Sequence, residues 1–244
     1  LYLQDDDGGR EILEALYAAK TRHPALEISV FVDWHRARRG LIGKQKSEGN
    51  AGMYREYARR LGPGVAIYGV PVQNRELFGV LHLKGFVIDD NVLYSGASLN
   101  DVYLARHGRY RLDRYHLFRD AKLADAMAGF VERQFGASPA VCRLNSVDAP
   151  TTKALQPAIR DLRQSLHQAA YAVPDDSLGD GEVAVTPLLG FGRTDNALND
   201  TLLAVLRGAR ERVILLTPYF NLPRPVRAVL GQLLRRGCEI HLMV

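Results

Sequence analysis

A histidine and a lysine stand two residues apart in an otherwise apolar run, Leu81-His82-Leu83-Lys84-Gly85-Phe86-Val87-Ile88. In a β-strand residues i and i+2 face the same side, so the sequence predicts that His82 and Lys84 project together. A three-residue loop, Asp89-Asp90-Asn91, would return the chain as a hairpin with Ile88 opposite Val92. That register sets His82 opposite Ser98 and Lys84 opposite Gly96, with Ser98 and Asn100 on the same face. Gly96 would leave room above Lys84 for a bulky group, and Asp89 would place a carboxylate at the hairpin end. The chemistry such a cluster can do is phosphoryl transfer. An imidazole with a free pKa near 6.5 can attack phosphorus or protonate a leaving oxygen. A lysine beside it neutralises charge on the non-bridging oxygens as the transition state develops, and a serine hydroxyl and an asparagine amide can donate to the same oxygens.

These residues need a scaffold, and the rest of the chain supplies one. With 244 residues the chain can bury a core in one large or two smaller domains. Hydrophobic residues at 47% and charged residues at 24% are those of a globular protein rather than a disordered one. No apolar run approaches the roughly 18–20 residues of a membrane-spanning helix. Cys142 and Cys238 are the only cysteines, too few for a disulfide framework and without metal-ligand spacing. The formal charge of +5 favours anionic partners: phospholipid head groups, phosphorylated metabolites or nucleic acid.

Strand-like and helix-like segments alternate. Ile12, Leu13, Leu16 and Ala19 share one face of a helix preceded by Asp5-Asp6-Asp7-Gly8-Gly9. LEISVFVDW and GVAIYGVPV read as buried strands of the kind parallel sheets use, and RYHLFRD as one more strand. Asp120 caps a helix whose Leu123, Met127 and Phe130 share a face. Beyond Gly136 a loop precedes a mostly helical segment with Pro157 near its start, then the linker PDDSLGDGE. EVAVTPLLG reads as a strand, Asp195 caps the next helix, RVILLTPYF is a strand, a helix runs to Gly237, and CEIHLMV is a strand. Tyr17, Tyr54 and Tyr57 lie in helical segments and read as packing residues.

One pattern recurs. Tyr2-Leu3, an amphipathic helix and the strand ending at Val32 match Tyr219-Phe220, a helix and the strand ending at Val244. The organisation expected is a first half-domain over 1–136, a partly helical connector over 137–182, and the beginning of a second half-domain over 183–244. Both ends read as cut, so the chain is expected to be an internal piece of a longer protein.

The order His82, one residue, Lys84, four residues, Asp89, then Gly96, Ser98 and Asn100 resembles the HKD motif of the phospholipase D superfamily. The spacing Gly96-Ala97-Ser98-Leu99-Asn100 is one residue longer than the superfamily's usual pattern. That stretch, with LYLQDDDGG, VDWHRARRG, YGVP, YRLDRYHLFR and TPYFNLP, looks like the phospholipase D-type phosphatidylserine synthases of bacteria. The resemblance implies an α/β fold of phospholipase D-like half-domains, mixed sheets flanked by helices, with the internal duplication truncated. It implies transfer of a phosphatidyl group from CDP-diacylglycerol to L-serine with release of CMP. His82 would be the nucleophile, forming a phosphatidyl-histidine. Lys84 would hold phosphate oxygens, Ser98 and Asn100 would support them, and Asp89 would fix the local structure or orient a histidine from behind. The general acid would be a histidine of a second HKD motif, which this sequence lacks. No metal and no cofactor is implied. The expected setting is cytoplasmic, at the anionic inner face of the cell membrane, with no nucleic acid and the oligomeric state open.

Two basic stretches are further candidates. Arg36, Arg38 and Arg39 follow a strand that points at the site and could meet a pyrophosphate or acidic lipid heads, or simply form a solvated loop. Arg106 to Arg119 interleaves basic and aromatic residues as nucleic-acid and membrane-interface surfaces do, or as an exposed strand face does. The residues alone leave the acceptor open. A cardiolipin synthase, phospholipase or nuclease would share the intermediate, and a non-catalytic basic module would need no nucleophile.

Overall fold

The computed structural model describes residues 3–39, 49–146, 149–173, 179–192, 196–217 and 220–243. The chain forms two compact units, Leu1–Ser177 and Leu178–Val244.

The first unit opens with helix α1 (Asp7–Arg22), capped by Asp6, whose side chain accepts from the Gly9 N–H. Its buried residues are Gly8, Gly9, Leu13 and Tyr17, so the inward face turns further toward the tyrosine than the Ile12–Leu16–Ala19 pattern suggests. Strand β1 (Ser29–Asp33) runs into the short helix α2 (Trp34–Arg38), and helix α3 (Asn50–Leu61) leads to strand β2 (Ala66–Val70). β1 and β2 pair in parallel, Ser29 with Ala66 through Asp33 with Val70. Tyr17 stacks on Tyr57 with ring centroids 6.2 Å apart, and Tyr54 is fully buried, so all three helical tyrosines pack. Gly69 is demanded by close approach: a Cβ there would lie 2.7 Å from Trp34 Cε3 and 3.0 Å from Leu144 Cδ1.

A second, antiparallel sheet carries β3 (Phe86–Ile88), β4 (Asn91–Ser95) and β5 (Tyr115–Arg119) in that order. Helix α4 (Ala121–Val131) packs on one face through Leu123, Ala124 and Met127 against Val92. Asp120 caps it, accepting from the Leu123 N–H at 2.8 Å. The helix continues into a wider π turn, Glu132–Gly136. Short β6 (Cys142–Arg143) adds antiparallel to β2, and α5 (Gln156–His167) begins at Pro157.

The second unit holds α6 (Ala197–Gly208), β7 (Arg212–Leu216), α7 (Arg224–Arg235) and β8 (Glu239–Met243), with β7 and β8 parallel. Its core joins Leu206, Val213, Val226, Val229, Leu230, Leu233 and Cys238. Asn196 caps α6, accepting from the Asn199 N–H at 2.9 Å; the expected cap Asp195 lies outside the described residues, as do Tyr2 and Tyr219 of the sequence repeat. The expected strand over 182–190 is not one. Val183 and Val185 are 83% and 44% exposed, and no strand among the described residues pairs with it.

The hairpin register also differs from the sequence expectation. Ile88 pairs with Asn91, not Val92, so the loop is the two residues Asp89-Asp90. Asp89 takes a left-handed φ of 50°, the conformation that closes a two-residue hairpin and that aspartate tolerates. The ladder ends at Phe86↔Leu93, because Gly85 at φ 134° turns the chain out of the strand. His82 therefore does not lie opposite Ser98, nor Lys84 opposite Gly96. The residues over 81–85 lie outside the ladder and precede β3 in the chain.

Candidate active site around His82

Asp33 and α2 tether the chain that leads to His82. Asp33, at the end of β1 and 1% exposed, uses both carboxylate oxygens. Oδ1 accepts from the Arg36 N–H at 2.8 Å and caps α2; Oδ2 accepts from the Leu81 N–H at 2.7 Å. Three further contacts bind the preceding chain, at Gln73 and Glu76, to α2 and its C-cap Arg39. His35 Nε2 lies 2.7 Å from the Gln73 carbonyl oxygen. Glu76 receives Arg39 Nε at 2.7 Å and Arg36 Nε at 3.5 Å. The chain from Gln73 to Leu81 is thus laid along α2 and delivers His82 at its end.

There the side chains of His82 and Lys84 meet. Lys84 Nζ is 3.2 Å from Nδ1 and 3.1 Å from Nε2 of the imidazole, nearly equidistant from the two nitrogens. Burial, then the Lys84 ammonium and the Arg36 guanidinium, hold the His82 pKa below its ordinary value. The shift favours the neutral ring, whose nitrogen lone pair can meet an electrophile. Burial and Arg36 also lower the Lys84 pKa, and Asp113 works against them. Three cationic or basic groups converging on one point are arranged to receive an anion such as a phosphate diester.

The three arginines of the sequence candidate separate. Arg36 reaches the site electrostatically, acting on both His82 and Lys84. Arg39 pairs with Glu76. Arg38 turns away: its guanidinium lies 4.4 Å over the Trp34 ring and Nη1 donates to the Pro150 carbonyl at 3.0 Å. Two of the three hold the fold together, and the motif's basic character partly reflects that work.

The group packed over Gly96 is Asp113. A Cβ on Gly96 would lie 2.9 Å from Asp113 Oδ2. β5 pairs Tyr115 with Ser95, which brings the residue two positions earlier back over the glycine. Asp113, Asp33 and Glu76 were not legible as site residues. Only the pairing of β4 with β5 and the laying of the 73–81 segment on α2 reveal them.

Asn100 serves its own loop. Oδ1 accepts from the Tyr103 N–H at 3.2 Å, and Nδ2 lies 3.5 Å from Gln4 Oε1. Its neighbour Leu99 bridges Leu3 in parallel, with the Gln4 N–H donating to the Leu99 carbonyl at 3.2 Å. Ser98 precedes that bridge and is partly exposed. Asp89 is exposed at the hairpin tip, separated from Lys84 by the length of β3. Among the described residues, Asp7, Asp101 and His107 form a group with metal-ligand donors, their ligating atoms within 4.8 Å of one another. His107 Nε2 stands 2.9 Å from Asp7 and 3.6 Å from Asp101, so the three already satisfy one another. No helix among the described residues is long and apolar enough to cross a membrane.

No protein-family model matches the chain. It is similar along its whole length to the CDP-diacylglycerol–serine O-phosphatidyltransferase PssA of Escherichia coli K12, with 47% identity over 246 residues, and covers 54% of that protein. The CDP-diacylglycerol–serine O-phosphatidyltransferase of Haemophilus influenzae Rd is 39% identical over 249 residues, again with 100% of this chain and 54% of the relative covered. The crystal structure of the phosphatidylserine synthase of Haemophilus influenzae Rd KW20 superposes with a TM-score of 0.92 at 38% identity, covering 99% of this chain and 54% of that one. The chain spans about half the length of the relatives it matches.

Proposed function

From a chain homologous from end to end to about half of the bacterial phosphatidylserine synthases, we propose that it carries the nucleophilic half of a CDP-diacylglycerol–serine O-phosphatidyltransferase. The observation that carries this reading is a histidine in contact with Lys84, its pKa held below the ordinary value by burial and by the charges of Lys84 and Arg36.

In the first step a nitrogen of His82 attacks the phosphorus of the diacylglycerol phosphate. An N–P bond forms, the P–O bond to CMP breaks, and CMP departs with the electron pair. Lys84 and Arg36 offset the charge that builds on the non-bridging and leaving oxygens. In the second step the serine hydroxyl attacks the same phosphorus, the N–P bond breaks, and neutral His82 is regenerated. The proton of that hydroxyl needs a base, which a group outside the His82–Lys84–Arg36 cluster would supply. Ser98, partly exposed just before the Leu99–Leu3 bridge, would offer its hydroxyl to the phosphate. Asn100 would act by shaping the loop that follows, since its carbonyl oxygen already caps Tyr103. Asp89 would fix the hairpin through its left-handed turn. The chemistry assigned to these residues calls for neither a metal nor a cofactor.

The partners would be CDP-diacylglycerol, L-serine and an anionic phospholipid surface, met peripherally at the cytoplasmic face. Exposed Tyr110 and Leu112 stand among Arg106, Arg109, Arg111 and Arg114, a mixed basic and apolar surface suited to that contact. Nucleic acid is not an expected partner.

The test is a quench of the full-length protein with labelled CDP-diacylglycerol in the absence of serine. Acid-labile label should appear on the protein, be discharged by serine as phosphatidylserine, and be absent from folded His82→Asn. Label that ignores serine but passes to glycerol or phosphatidylglycerol would replace serine as the acceptor. Full activity in His82→Asn would remove the nucleophile assignment.

A further inference from the structure

Deepening that reading and resting on it, we propose that Asp33 is a positioning residue: its carboxylate clamps α2 to the segment bearing His82, and so fixes the Arg36–His82–Lys84 geometry in which the nucleophile works.

The residues over 81–85 lie outside the β3–β4 ladder. The backbone N–H immediately before His82 is instead held at 2.7 Å by Asp33 Oδ2. The other oxygen of the same carboxylate, at 2.8 Å, holds the N–H of Arg36, the residue whose charge reaches both His82 and Lys84. One buried group thus spans 48 residues of sequence and ties two members of the anion site together. Charge-assisted bonds from backbone N–H groups to a carboxylate are short and directional, and a buried one is costly to leave half-made. Asp33 also stands on β1, whose parallel pairing reaches Asp33↔Val70, so the clamp is anchored in the sheet.

Asparagine separates the two tasks. In Asp33→Asn, Oδ1 can still accept from Arg36 and cap α2, because asparagine is as good a cap as aspartate. Its NH₂ then faces the Leu81 N–H, donor against donor, and the segment is released. Asp33→Ser likewise keeps a cap and gives up the Leu81 bond.

The experiment uses the full-length protein, with its histidines isotopically labelled for a titration by magnetic resonance. The groups facing His82 are Lys84 and Arg36, with Asp113 beside Lys84. In folded Asp33→Asn, the His82 midpoint should move up toward the ordinary value as the ring loses its fixed cationic neighbours. Covalent labelling from CDP-diacylglycerol should slow at least tenfold. A substitution that merely loosened the fold would lower the melting temperature and leave the His82 midpoint where it was. Unchanged titration and labelling in folded Asp33→Asn overturn the proposal. If both variants fail to fold, amide exchange in the unaltered protein decides. The Leu81 N–H should be protected at least a hundredfold over its unfolded rate, and free exchange at Leu81 overturns the clamp. A His82 midpoint that moves in a protein that transfers no phosphatidyl group would leave the clamp standing and refute the phosphatidyltransferase reading instead.

Discussion

Replacing Lys84 by methionine removes an ammonium that lies 3.1–3.2 Å from both nitrogens of His82 while keeping most of its packing volume. Two unit charges at that distance repel by about 1.3 kcal/mol at the dielectric of water, or about one pKa unit. Solvent reaches this pair, so screening keeps the effect near that lower limit rather than at interior values. The His82 midpoint should therefore rise in Lys84→Met, although burial and Arg36 continue to hold it down. The sign follows from the nucleophile being the neutral ring. Activity falls as pH drops through the lowered pKa, and in the variant this acid limb moves to higher pH. The protonation effect alone is small. At pH 7 a histidine with an ordinary or lowered pKa is already about three-quarters neutral or more, so the rise costs only a few-fold. Losing the cation that stabilises the transferring phosphoryl oxygens costs about 10²–10³. Raising the pH should thus recover the few-fold part of the loss and leave the larger part. The assay is the rate of covalent labelling of the full-length protein between pH 5 and 9, beside a histidine titration. A His82 midpoint that stays put or falls in Lys84→Met would refute the coupling. A rate restored fully by pH would refute the role of Lys84 on the phosphate.

Three further outcomes follow from particular contacts. Asp113→Asn removes the charge that supports the Lys84 pKa against burial and Arg36, so the basic limb of the labelling profile should move to lower pH; an unmoved limb would dissociate Asp113 from the site. Gly69→Ala should destabilise the protein by about 1–3 kcal/mol in urea unfolding, since Trp34 and Leu144, at 1% and 0% exposure, have no space to yield to the new methyl group. Binding to anionic vesicles should weaken as salt rises, and Arg109→Ala and Arg111→Ala should each cost about 1 kcal/mol, or about fivefold; binding indifferent to salt and to these arginines would point to insertion of apolar residues instead.

Adjacent or closely spaced residues were readable from the sequence because local geometry alone relates them. His82 and Lys84 meet because two residues of extended chain bring side chains to one side, whether or not a ladder forms. Asp120 caps α4 and Leu123, Met127 and Phe130 line its buried face for the same reason, since caps and helical periods are rules of a few residues. The family resemblance rested on such spacings and on short motifs, and it identified the chain's relatives. What the sequence could not determine was every relation that runs through a turn or across the chain. One left-handed aspartate, Asp89, shortened the loop by a residue and moved Ser98 and Asn100 out of register with His82, because a single-residue shift changes every cross-strand partner. Asp33 and Leu81, Glu76 and the arginines of α2, and Gly96 and Asp113 are brought together only when sheets and helices have packed. Their residue types carry no mark of it: a buried aspartate that clamps a nucleophile and one that merely caps a helix are spelled alike. Tertiary structure separates them, because only there do both oxygens of one carboxylate find their donors.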